Sequence, residues 1–481
     1  MNKGGGVFTN FLWKFGERLS AQLVTLVVSI VLARILEPEA YGAISILMVF
    51  ISIANVLIVN GFSSALIQKK DADDVDFSSV FYFSVLFSVV LYLGLFTIAP
   101  YIAEWYSMPV LCPTLRVLGL RIIVGAVNSV QQAYVSRKMI FKKFFWATLG
   151  GTIASAFVGL VMAYEGFGVW ALVGQYLTNT MVNTVVLCFT IKWRPTLVFS
   201  YKRLKGLLGY GWKLLASALI GSIYDNLRTL IIGKRYSSED LAFYAKGKQF
   251  PELIMNNVNL SVSSVLFPAL SKLQDDRAKV AAASRLCVQV STSVIAPLMI
   301  GMVAVAEPLI RLLLTDKWIP AAPFLQICCI YYLMSSIYIA HLQSYKAIGK
   351  SGLSLMMESI DAVIGIVLVI IVYKQGVMAV AMTVLLSRGF AFITCIIHSS
   401  RLFRLSILEQ IGDILAPIGI ALVMYCVVRL IGQINIHYIP LLLIQILAGI
   451  SIYVVLAFVV ELPITKYVKN LLRKRRQGGA D

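Results

Sequence analysis

The stretch Ile191–Gly211, IKWRPTLVFSYKRLKGLLGYG, divides the chain. It carries Lys192, Arg194, Lys202, Arg203 and Lys205 and no acidic residue. A long apolar half lies on each side, and the two halves open alike. Before the stretch stand Phe15-Gly16-Glu17-Arg18-Leu19, an apolar run, and then Glu39-Ala40-Tyr41-Gly42. After it stand Tyr210-Gly211-Trp212-Lys213-Leu214, an apolar run, and then Leu241-Ala242-Phe243-Tyr244-Ala245. The pattern reads as one helical unit used twice and joined by a basic connector.

The composition fixes the solvent of those helices. Of 481 residues, 59% are hydrophobic and 14% charged, with a mean hydropathy of +0.84. A soluble domain holds about 45–50% apolar and about 25% charged residues, so the chain reads as a polytopic membrane protein. Its net charge of +19 does not indicate a nucleic-acid partner, because the cations sit in short clusters between apolar spans. The seven cysteines fall in or beside those spans without a CxxC pair, as small buried apolar residues do rather than a disulfide framework. Lys3 precedes a long apolar span with no small-residue cleavage site, which reads as a first helix and not a removed signal.

A spanning helix needs about 20 mostly apolar residues, and by that rule about fourteen spans are expected. Six precede the connector: 11–36, 41–66, 77–104, 110–136, 144–164 and 167–191. Eight follow it: 207–233, 248–270, 280–306, 321–347, 353–373, 377–398, 411–431 and 438–460. Alternate loops carry the Lys and Arg clusters, which places both termini of a multi-pass protein in the cytoplasm. The expected organisation is an N-lobe of six helices at 1–191, the basic linker at 192–206, and a C-lobe of six helices at 207–405. Helices 13 and 14 at 406–463 and a basic cytoplasmic tail at 464–481 complete it. Both lobes begin on the same side, so the repeat is parallel, an arrangement in which transporters hold substrate near the midplane and alternate access. The linker is where the two lobes are expected to move.

Charges inside a span are costly and usually face a cavity or a partner. Arg18, Arg121, Lys213 and Arg228 lie within spans. With Asn256, Asn257 and Tyr224 they are the candidate lining of a wet, cationic cavity for an anionic substrate, because arginine binds phosphate through a planar fork and stays charged. The competing reading is structural: Asp225 with Arg228, and Asp361 with Arg388, neutralise each other, and the asparagines join helices. Asp225, Glu358 and Asp361 are the candidates for coupling to a proton or sodium gradient. Asp71-Ala72-Asp73-Asp74 superficially matches metal-binding acid pairs but lies beside Lys69 and Lys70 and reads as a solvated loop. His341, His398 and His437 are scattered and match no metal spacing. No phosphate-binding Gly-rich loop is present, so no metal and no cofactor are expected.

The N-terminal stretch GGGVFTNFLWKFGERLSAQLVTLVVSIVLARILEPEAYG, residues 4–42, resembles the opening of polysaccharide exporters. So do Ser238–Pro251, SEDLAFYAKGKQFP, and Phe267–Asp275, FPALSKLQD. These are the Wzx-type flippases of the multidrug/oligosaccharidyl-lipid/polysaccharide (MOP) superfamily, with the colanic-acid-type exporter branch nearest. The resemblance implies an all-α bundle of two six-helix lobes in a V with an extra C-terminal helix pair. It further implies a non-enzymatic flippase that moves undecaprenyl-pyrophosphate-linked oligosaccharides across the bilayer, together with polymerase and export machinery. A multidrug or cation antiporter of the same superfamily would want acidic residues in the N-lobe cavity. A membrane polysaccharide polymerase or glycosyltransferase would want a large loop with paired acids or Arg, and neither pattern is found.

Overall fold

The computed structural model describes residues 3–59, 66, 71–138, 140–271, 276–434 and 436–465. The side chains of Arg18 and Lys213 and the tail 466–481 lie outside the described residues. Among the described residues the fold is all-α. The first helices are α1 (Lys3–Ile35), α2 (Pro38–Ile58), α3 (Asp74–Trp105), α4 (Leu111–Lys138), α5 (Phe141–Tyr164), α6 (Val169–Thr190) and α7 (Tyr201–Arg235). Then come α8 (Ser238–Ser271), α9 (Arg277–Ala304), the short α10 (Ala306–Leu314) and a 3₁₀ turn at Asp316–Ala321. The chain closes with α11 (Ala322–Ala347), α12 (Ser351–Val372), α13 (Val377–Phe403), α14 (Ile407–Ile431) and α15 (Tyr438–Val459). Among the described residues, ten helices are long and apolar enough to cross a membrane.

Local chemistry sets the breaks between helices. Pro38 opens α2 at a position where its missing N–H is not needed. Asp73 caps α3: its carboxylate accepts from the Asp76 amide at 3.0 Å, and the Asp76 carboxylate accepts from the Asp73 amide at 3.2 Å. Gly166 and Gly168 turn α5 into α6 with φ of 79° and 55°, a region that costs glycine little.

By contact the chain forms two compact units, residues 1–242 and 243–481. In the first, α3 packs on α4, α5 on α6, α4 on α6, α1 on α5, and α7 on α2. In the second, α9 packs on α11, α12 on α13, and α11 on α13. Three of these pairings recur in the same chain order in both units, which is the internal repeat expressed as packing. Helix α7 belongs by contact to the first unit.

The connector is strapped to the first unit. Trp193 is buried, with its ring centre 5.8 Å from that of Phe77 and 6.0 Å from that of Tyr134. The Thr196 amide donates to Ser78 Oγ at 3.0 Å and the Ser200 amide to Ser79 Oγ at 2.9 Å. Arg203 pairs with the Asp73 carboxylate, and Asp76 lies 3.8 Å away. The adjoining Arg203 guanidinium and the Asp76 amide hold the Asp73 carboxyl down at about 2. The acid-rich loop therefore caps a helix and clasps the connector.

In the second unit the C-terminal helix pair is docked. Arg285 of α9 grips Asp413 of α14 through two nitrogens, at 2.7 and 3.0 Å. Tyr453 of α15 donates to the Ser293 carbonyl of α9 at 2.8 Å. An apolar groove of about 420 Å³ runs between α9, α14 and α15, lined by residues such as Pro297, Leu298, Met302, Val428 and Ile450. Leu422, Leu443, Leu447 and Val455 are exposed on α14 and α15, as side chains facing lipid would be.

Candidate functional site

The α4 sequence places Arg121, Gly125, Asn128 and Gln132 at i, i+4, i+7 and i+11. That spacing puts them on one face, spread along about 16 Å of helix. Helix α6 answers with Tyr176, Asn179, Thr180 and Asn183 at i, i+3, i+4 and i+7. Between them, with Asn55 and Val59 closing the side, lies a cavity of about 300 Å³ within the first unit. Eight of its ten lining residues carry an amide, hydroxyl or guanidinium group, in a helix bundle otherwise built from Leu, Val, Ile and Phe.

Arg121 is the cation of this cavity. Its Nε donates to Thr180 Oγ1 at 2.8 Å, Nη1 approaches the Met48 sulfur at 3.7 Å, and its guanidinium carbon lies 5.5 Å from the Tyr176 ring centre. Among the described residues no carboxylate pairs with it. The acidic residues of this unit lie at helix ends or in loops, apart from Asp225, which is exposed on α7, and Glu17 in mid-α1, whose side chain lies outside the described residues. A cation taken out of water without a counter-ion is costly, and a guanidinium can bind an anion through its planar fork.

The amides form a chain. Gln132 donates to Asn128 Oδ1, and Asn128 Nδ2 donates to Asn183 Oδ1 at 2.8 Å and to Thr184 Oγ1 at 2.9 Å. Asn183 Nδ2 in turn reaches Thr148 Oγ1 at 3.4 Å, and Asn179 Nδ2 reaches Ser155 Oγ at 3.4 Å. The network holds α4, α5 and α6 together while leaving the cavity wall polar.

The other residues singled out from sequence lie elsewhere. Arg228 is buried on α7, its guanidinium carbon 5.3 Å from the Tyr224 ring centre. Neither residue lines the cavity bounded by α2, α4 and α6. Asn256 is exposed on α8, and Asn257 donates to the Leu253 carbonyl of its own helix at 2.8 Å. Asp361 pairs with Arg388 at 3.2 Å, and Glu358 lies 3.4 Å from Lys346. Arg388 also donates to the Tyr331 hydroxyl at 2.9 Å and stacks over Tyr338 at 4.5 Å. Only Arg121 of the proposed cationic set is thus described in a polar cavity. Sequence reading named no candidate site residue on α6. The signal was there as a stripe of Asn and Thr at helical spacing, but such residues usually serve as interhelical glue.

A model of the polysaccharide biosynthesis protein family matches residues 31–323. The chain belongs to this family. It is similar to the succinoglycan biosynthesis transport protein ExoT of Rhizobium meliloti (strain 1021), with 25% identity over 458 residues, 94% of this chain and 92% of that one. It is also similar to the lipopolysaccharide biosynthesis protein WzxC of Escherichia coli (strain K12), with 24% identity over 310 residues, 64% of this chain and 63% of that one. In fold, this member of the polysaccharide biosynthesis family superposes on the lipid II flippase MurJ in an inward closed conformation. The TM-score is 0.77 at 17% identity, covering 97% of this chain and all of the other. An inward-facing multidrug transporter of the MOP superfamily follows at 0.63, covering 80% and 94%. The polysaccharide biosynthesis family chain therefore has the MOP fold and is a multi-pass membrane protein.

Proposed function

We propose that the chain is a flippase. It moves undecaprenyl-pyrophosphate-linked oligosaccharide units from the cytoplasmic to the periplasmic leaflet of the bacterial inner membrane, by alternating access and with both termini cytoplasmic. Family membership and the transport relative support the class. The single observation that carries the chemistry is Arg121, a guanidinium facing a polar cavity with no carboxylate partner among the described residues. A sugar pyrophosphate cannot cross hydrocarbon unaided, and a fixed cation in a low-dielectric site offsets its lost hydration. The polyprenyl tail needs no such shelter. The apolar groove between α9, α14 and α15 suits a hydrocarbon chain.

A cation antiporter would want the opposite charge where Arg121 stands. Gradient coupling belongs to the same proposal. Asp361 and Glu358 have cationic neighbours, and these two and Asp225 on α7 are the candidate carriers. Slower flipping on collapse of the proton gradient would assign the coupling to protons, and slower flipping on removal of sodium would assign it to sodium.

The test of the main reading is deletion of the gene followed by analysis of lipid-linked intermediates. Undecaprenyl-linked oligosaccharide facing the cytoplasm should accumulate and clear on complementation with the wild type but not with Arg121→Gln. A deletion strain with no such build-up would overturn the reading.

A further inference from the structure

One face of the connector is fastened and the other is bare. Behind it, Trp193 is buried among Phe77, Phe81 and Tyr134. The Thr196 and Ser200 amides bracket residues 197–199, and both are tied to serines at the start of α3. The residues between those ties are apolar and turned outward. Leu197 is 95% exposed, Phe199 52% and Val198 47%, and Tyr201 follows at 67%. The Val198 amide donates to the Thr196 carbonyl at 2.7 Å, which tightens the turn at Leu197. A tip held this firmly from behind cannot fold back to hide its apolar side chains.

Two observations say what covers it. The first is its level. Phe77 lies in the first turn of α3 and Tyr134 near the end of α4, two of the helices long and apolar enough to cross a membrane. Trp193 packs on both. The tip therefore stands where hydrocarbon gives way to headgroups, a zone that aromatic side chains favour. The second is charge. Lys192, Lys202 and Lys205 flank the tip and are exposed. The facing carboxylates of Asp73 and Asp76 are engaged by Arg203 and by the α3 cap. Free lysines beside an apolar wedge match an anionic bilayer surface, which attracts each cation held close to it.

We propose that residues 197–201 insert into the interfacial zone of the leaflet on the connector's side, where Lys192, Lys202 and Lys205 gather anionic phospholipid headgroups. The partner is a lipid surface, and the element that meets it is remote in role from the polar cavity. The proposal is independent of the cargo and of which face is cytoplasmic.

The test uses the full chain in lipid nanodiscs, which leave both faces accessible. Cys426→Ser removes the exposed thiol, and Leu197→Cys carries an environment-sensitive fluorophore. The same chain without Leu197→Cys, treated alike, gives the background. The discs hold equal phosphatidylcholine and phosphatidylglycerol, with spin-labelled acyl chains on one or the other. The fluorophore should emit to the blue and be quenched by both lipids, about twofold more by phosphatidylglycerol. Lys192→Gln, Lys202→Gln and Lys205→Gln together should bring the two lipids level while the fluorophore stays in the bilayer. Arg194 and Arg203 are left in place because they hold main-chain carbonyls and Asp73. Quenching by aqueous iodide and not by lipid would mean a tip kept for a different partner and would overturn the proposal. Equal quenching by the two lipids before the lysines are replaced, or a preference that survives their replacement, would overturn it as well.

Discussion

Asp361 on α12 and Arg388 on α13 meet at 3.2 Å, and both are largely withdrawn from the surface of the second unit. The pair is framed by aromatic side chains, Tyr331 accepting from the guanidinium and Tyr338 lying against its face. A charge this deep is tolerated because its partner is present. Removing one partner should cost about 3–5 kcal/mol, whereas replacing both with apolar residues of similar volume should be close to neutral. Thermal unfolding in detergent should rank Asp361→Asn well below wild type and Asp361→Leu with Arg388→Met near it. If the double variant were as unstable as the single one, the pair would be contributing more than mutual neutralisation.

Arg121 makes a charge-assisted contact of the kind worth about 1.5–3 kcal/mol. Transport by Arg121→Gln should fall by about ten- to a hundredfold with the protein still folded. Arg121→Lys should keep the charge but lose the fork and recover only part of the rate. Flipping of lipid-linked intermediates in reconstituted vesicles reads both.

Gly42 lies so close to the start of α8 that an added Cβ would sit 1.9 Å from the Ser238 carbonyl oxygen. Backbone cannot swing aside as a long side chain can, so Gly42→Ala should destabilise by about 1–3 kcal/mol. Ser238→Gly should not rescue it, because the obstructing atom is main chain. A melting curve of the single and double variants decides this.

The clasp between Asp73 and Arg203 has a defined pH window. The Asp73 carboxyl is held at about 2, below its ordinary value of about 3.9. A depressed acid contributes its stabilisation above the unfolded value and loses it as pH falls through the folded one. Hydrogen exchange of the peptide spanning 191–203, corrected for the intrinsic rate, should thus be flat from pH 7 to pH 5 and rise below about pH 4. Asp73→Asn should show the looser state already at pH 7.

Much of the fold was legible because membrane spans announce themselves by length and hydropathy, residues such as Leu442–Val460 needing no tertiary context. Arg121 was legible as a charge out of place in an apolar run. The α6 wall was not, since a Thr or Asn in a span is read by its partner and the partner is on another helix. Nor could sequence show that Ser78, Ser79 and Asp73 seize a connector more than a hundred residues away. A basic, proline-containing stretch reads as a free joint until its hydrogen bonds are seen. Arg388 and Asp361 were paired on sequence as one of two readings, and only the geometry shows them in contact.

That fastened connector makes residues 193–203 part of the first unit's own surface rather than a loose tether. With Trp193 wedged among Phe77, Phe81 and Tyr134 and Arg203 clamped, the segment before α7 is a fixed anchorage. On α7 itself, Gly206 and Gly221 have no neighbour within 4 Å of an added Cβ, so alanine at either position meets no steric obstacle. Shortening the stretch between Trp193 and Arg203, by contrast, would pull against every one of those fastenings at once.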